Sequence, residues 1–175
     1  MSSQQSAVTA DDAMQARIAD SADVPELVRV INSAYVVEQF FVVGDRTNAA
    51  QVRDRMTRPS SGFLAVDDVQ TPGRLAACVW VEVRDDRGYF GMLAVDPARR
   101  GRGLARLLID AVERHCRAAG CRFLDISVVN LRSELPAFYR QFGFAPYGTA
   151  PFHDPVTLSR PAYLVLMTKP LVELW

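Results

Sequence analysis

The spacing of apolar positions changes repeatedly along the chain, and each change marks an element. Residues 1–13 are mainly Ser, Gln, Ala and Asp without periodicity, which predicts a disordered N-terminal tail. A short strand is expected near Met14–Ala19. Val24, Leu27, Val28, Ile31, Ala34 and Tyr35 then recur at helical spacing behind Ser21, a candidate N-cap. After an aromatic and apolar segment, Tyr35–Val43, Thr47 or Asn48 is placed to cap a second, shorter helix ending near Thr57. The period then becomes that of strands. Gly62–Val69 reads as one strand, Thr71-Pro72-Gly73-Arg74 as a tight turn, and Leu75–Arg84 with Tyr89–Val95 as a hairpin about Asp85-Asp86-Arg87-Gly88.

Helical spacing returns at Leu104, Leu107, Leu108, Ala111, Val112 and Cys116, and Gly120 stops it. Phe123–Val129 predicts a strand. Glu134–Phe142 predicts a short helix with Ser133 as N-cap, and Phe144–Tyr147 and Tyr163–Thr168 predict two late strands. The expected order is β-α-α-β-β-β-α-β-α-β-β. A hairpin block followed by strand-helix-strand gives an α/β protein with a mixed sheet and helices on both faces. With no internal repeat or linker, residues 14–175 read as a single domain.

Composition narrows the classes of function. The 175 residues can bury one sizeable core, and 20 Lys+Arg balance 20 Asp+Glu, so no global basic field favours nucleic acid or an anionic membrane. The densest positive cluster is Arg99, Arg100, Arg102 and Arg106. Three cysteines, odd in number and at no metal-ligand spacing, predict a reduced, cytoplasmic protein without a metal. No signal-peptide pattern and no membrane-length apolar run are present, so no membrane partner is expected.

Two motifs carry the chemistry. Met92–Val95 ends at Asp96-Pro97 and leads through Arg99-Arg100-Gly101-Arg102-Gly103 into the helix beginning at Leu104. Glycines there expose backbone N–H groups at a helix N-terminus, where the dipole favours an anion. A plain N-cap with surface charges is the alternative. The loop is not a P-loop, lacking Gly-Lys-Ser/Thr, and it misses the third position of a dinucleotide fingerprint. Downstream, Asn130 ends a strand and Phe138-Tyr139-Arg140-Gln141-Phe142-Gly143-Phe144 follows. Phe138 and Phe142 fit core packing at i, i+4, whereas the Tyr139 hydroxyl needs a partner.

With Arg100-x-x-Gly103-x-Ala105 and the Phe138-Tyr139 segment in this order, residues 14–170 resemble the Gcn5-related N-acetyltransferases. The resemblance implies an acyl-CoA N-acyltransferase fold that uses acetyl-CoA as co-substrate. Along the cofactor it implies Leu93, Ala94 and Val95, the loop residues Arg100, Gly101, Arg102, Gly103, Leu104 and Ala105, and Asn130. Tyr139 stands where the family's general acid protonates the thiolate. The Glu that many relatives carry on the central strand is absent from Tyr89-Phe90-Gly91-Met92. Glu82 is the first candidate base, with a solvated hairpin charge as its alternative, and Glu38 the second. Tyr35, Glu38 and Phe41 are expected at the acceptor, read as a small-molecule amine, with a protein N-terminus or lysine as alternative. By analogy the family suggests a homodimer. A non-catalytic acyl-CoA-binding sensor is the rival reading.

Overall fold

The computed structural model describes residues 14–173; the tail expected over residues 1–13 lies outside them. Seven strands form the main sheet: β1 (Ala16–Ile18), β3 (Ser61–Asp67), β4 (Leu75–Arg84), β5 (Arg87–Val95), β6 (Phe123–Val129), β9 (Tyr163–Pro170) and β7 (Ala145–Pro151), adjacent in that order. All neighbours are antiparallel except β5 and β6. A separate pair joins β2 (Val42–Val43) to β8 (Thr157–Leu158). This pair was not in the predicted order, because two residues are too few to set a period.

The apolar run of β3 and β4 is continuous because the sheet is covered on both sides. Phe63, Ala65, Cys78 and Trp80 pack under α1 (Val24–Ala34) and α2 (Ala49–Thr57), while Leu64, Val66, Ala77 and Val79 pack under α3 (Leu104–Ala118). Alternate side chains thus supply two cores from one strand. Phe41, Val42, Val129 and Leu164 form a third, smaller cluster.

Local chemistry adjusts several boundaries. Asp20, not Ser21, begins the first helical region: its carboxylate accepts from the Ala22 N–H at 2.8 Å, and Asp23 returns a bond from the Asp20 N–H at 2.8 Å. The acidic pair closes a capping box and leaves Ser21 inside a 3₁₀ turn. Asn48 caps α2 by accepting from Gln51 N–H at 3.0 Å. The β4–β5 turn is tighter than expected, because strand pairing resumes at Arg84↔Arg87 and only Asp85 and Asp86 lie between them. The last helix, α4 (Leu135–Arg140), begins after Ser133, with Glu134 at its N-cap and Pro136 in its first turn.

One irregularity positions everything that follows. Between the pairs Trp80↔Gly91 and Cys78↔Ala94, β4 advances two residues while β5 advances three. The extra residue is absorbed at Met92, whose φ is +52°. Such a bulge reverses the facing of all later side chains. Upstream, Phe90 faces the α3 core; downstream, Met92 and Ala94 enter the α1 core while Leu93 and Val95 turn to the α3 side. Beyond Tyr89↔Asp125, β5 and β6 cease to pair, and the sheet opens between them.

Candidate active site

The opening between β5 and β6 separates two cavities that meet in the middle of the protein. On the α3 side lies a cleft of about 510 Å³, lined by Leu93, Val95, Arg100, Gly101, Gly103 and Leu104 among others. On the other side is a smaller pocket whose walls include Arg46, Arg55, Trp80, Tyr89 and Asp154. Tyr35, Glu38, Leu93, Leu135 and Tyr139 line both. Arg55, Trp80, Tyr89 and Asp154 also line an outer vestibule containing exposed His153. The cavities thus share walls across the gap in the sheet.

The loop at the foot of the large cleft has exposed backbone N–H groups at a helix N-terminus, a geometry able to receive an anion. Asp96 accepts from Ala98 N–H at 2.9 Å and from Arg29 Nη1 at 2.8 Å, which fixes where β5 ends. Gly101 and Gly103 follow at φ +76° and +73°, conformations that strain any residue with a Cβ. No side chain caps the N-terminus of α3, so its first N–H groups are available to a ligand. Arg99 lines the cleft with its guanidinium paired to Asp68, Nε donating to Oδ2 at 2.9 Å. Arg100 lines the cleft; Arg102 does not.

Tyr139 is held by aromatic packing: Phe138, Phe144 and Phe90 surround its ring at centroid distances of 5.0, 5.9 and 6.0 Å. Among the described residues its hydroxyl has no hydrogen-bond partner, and it stands at the junction of the cavities. Burial raises its pKa, so it is a protonated donor near neutrality. Glu38 is 6% exposed at the same junction. Burial raises its pKa, opposed by Arg46 Nε at 3.7 Å and Arg132 Nη1 at 3.3 Å.

Several expected residues stand elsewhere. Glu82 lines none of these cavities; its carboxylate pairs with Arg84 at 2.8 Å, because the β4–β5 turn brings that guanidinium alongside. Ala94 is buried under α1, since the bulge reverses its face. Asn130 accepts the Tyr163 N–H at 2.8 Å and ties β6 to β9. Phe41 is fully buried in the third core cluster, while neighbouring Phe40 is exposed. Cys78 and Cys116 are buried with thiols pushed up to about 12, and no cysteine lines any of these three cavities.

Sequence reasoning missed Arg46, Arg55 and Asp154. Arg55 carried a detectable signal, falling at i, i+3 from Val52 on the inward face of α2. Arg46 and Asp154 lie in loops far apart in sequence and meet only in the fold, Nη2 to Oδ2 at 2.5 Å.

Comparison with known proteins gives a consistent family. The model described as "Acetyltransferase (GNAT) family" matches residues 29–144. A mycothiol acetyltransferase of Gordonia bronchialis is 32% identical over 78% of this chain, which spans 45% of that relative's length. Glucosamine 6-phosphate N-acetyltransferase 1 of Oryza sativa is 36% identical over 46% of this chain and 51% of its own. The yncA structure from Salmonella typhimurium, solved with its cofactor acetyl-CoA, is similar at a TM-score of 0.68 and 20% identity, covering 93% of this chain and 96% of its own. Among the described residues no helix is long and apolar enough to cross a membrane.

Proposed function

Since the chain belongs to the GNAT acetyltransferase family, we propose that it transfers the acetyl group of acetyl-CoA directly to a primary amine of a small molecule. The observation that carries this reading is the junction at Tyr139, Glu38 and Leu93, the place where a loop-anchored cofactor and an acceptor on the far side would meet.

The pyrophosphate is held by the first N–H groups of α3 and by Arg100. Pantetheine runs beside Leu93 and Val95 in the gap left by β6. The amine approaches from the smaller pocket and gives its ammonium proton to Glu38, which suits the task better than Glu82 because it lines both cavities. A desolvated carboxylate with a raised pKa is a matched base. The neutral amine attacks the thioester carbonyl, the C–S bond breaks, Tyr139 gives its proton to the departing thiolate, and the proton lost by the acetylated nitrogen returns to the Tyr139 oxygen. The absence of a cysteine from the cavities supports direct transfer over an acyl-enzyme. Two relatives named for small acceptors favour a small molecule over a protein N-terminus.

The test is thiol release from acetyl-CoA across a panel of amines. Acceptor-dependent release abolished in a Tyr139→Phe, Glu38→Gln double variant supports the reading. Tight acetyl-CoA binding with no release for any amine would instead leave a cofactor-binding sensor.

A further inference from the structure

The acceptor pocket holds two buried guanidinium groups with hydrogen-bonding capacity to spare. Arg55 is 6% exposed, and its Nε is buried without a partner. No carboxylate lies within ion-pair range of it among the described residues. Its one strong contact is the face of Trp80, with the guanidinium carbon 5.1 Å from the ring centroid. Arg46 bonds Asp154 through Nη2 and has Glu38 Oε2 3.7 Å from its Nε, yet Nε and Nη1 are buried without a hydrogen bond, and Nη1 has no carboxylate beside it. Leaving a buried cation without a counter-charge is destabilising, which a bound anion would relieve. Burial accordingly lowers the Arg55 pKa, and the nearest carboxylates already serve other cations: Asp154 bonds Arg46, and Glu38 lies between Arg46 and Arg132.

We infer that the acceptor amine carries an anionic group, a carboxylate or phosphate, that binds Arg55 and the open edge of Arg46. This rests on the acetyltransferase reading and refines its substrate class. Both residues line the smaller pocket rather than the cofactor cleft, so the anion belongs to the acceptor and not to CoA. Trp80 and Tyr89, packed edge to face at 5.6 Å, form an apolar corner beside Arg55 for the carbon skeleton. Arg58 and Arg84 at the vestibule are already paired, with Asp54 and Glu82, which leaves Arg55 as the cation there without a carboxylate among the described residues. An amine without a negative charge would leave Arg55 unsatisfied.

The experiment measures thiol release with amino acids, each paired with its amide, and with phosphoethanolamine against ethanolamine, in wild type and Arg55→Gln. For accepted pairs the anionic member is expected to have a KM lower by about tenfold or more, as for one charge-assisted hydrogen bond. In Arg55→Gln that ratio falls below about threefold on the same grounds. Equal KM values within accepted pairs, or a ratio unmoved by the substitution, overturn the inference while sparing the acetyltransferase reading. If no amine is acetylated, that reading fails, and thermal shift of the CoA-bound protein decides the anion site separately. Stabilisation by the anionic members in wild type but not in Arg55→Gln upholds it, and no stabilisation rejects it. The unliganded Arg55→Gln protein is expected to melt no lower than wild type; a marked drop would assign Arg55 a structural role instead.

Discussion

Arg132 Nη1 donates to Glu38 Oε1 at 3.3 Å, tying the loop after β6 to the turn after α1 where the two cavities meet. The long approach to α4, Asn130–Glu134, is what lets Arg132 reach Glu38 from 94 residues away. Arg132 is also held by Glu134, with Nε to Oε1 at 2.6 Å. Glu38 is thus oriented by a cation that is itself anchored.

The pH dependence follows from that arrangement. A base must be ionised, and burial raises the Glu38 pKa, so kcat/KM should climb with pH through an apparent value above the ordinary Glu range of about 4.3. Glu38→Gln should lower kcat/KM by about 100-fold and remove that acidic limb. A pH profile of both proteins checks this; an unchanged limb would move the base elsewhere.

Removing the Tyr139 hydroxyl should act on turnover rather than binding. Tyr139→Phe keeps the ring among Phe90, Phe138 and Phe144. The kcat is expected to fall about 100-fold, with KM for acetyl-CoA within about threefold and the melting temperature nearly unchanged.

The arginines of the glycine loop should separate by position. Arg100 lines the cleft and Arg102 does not. Arg100→Ala should raise the Kd for CoA about tenfold, the loss of one charge-assisted contact to phosphate, while Arg102→Ala changes it by less than about threefold. Titration calorimetry distinguishes them, and equal losses would mean the loop acts only through its overall charge.

A stability prediction concerns the root of β5. A Cβ on Gly88 would lie 2.4 Å from Cys116 Sγ and 3.2 Å from Leu124 Cδ1. Gly88→Ala should therefore cost about 1–3 kcal/mol by overpacking between β5, α3 and β6. Urea unfolding should show a lower midpoint at an unchanged slope.

What could be read beforehand follows from how each feature is encoded. The helical face of Leu104, Leu108 and Val112 is legible because burial on one side imposes a period. The glycine loop is legible because φ above zero restricts residue choice. The bulge was not readable residue by residue, since Phe90, Met92 and Ala94 alternate evenly in sequence while their facing reverses in space. Only the strand register shows where the extra residue falls. Arg46, Arg55 and Asp154 escaped because ionised residues are normally surface residues, and nothing local signals that three distant ones share a pocket. Phe41 misled because an aromatic beside a cavity and one beneath it look alike in a sequence.

The extra residue in β5 also divides responsibility along a single strand. Gly91 and Met92 line only the acceptor pocket, Val95 only the cofactor cleft, and Leu93 both. Under the proposed function, acceptor selectivity can therefore drift at Trp80, Tyr89 and Gly91 without disturbing the cleft assigned to CoA. Leu93 is the position on β5 where a change made for one substrate is felt by the other, so variation there is constrained twice over.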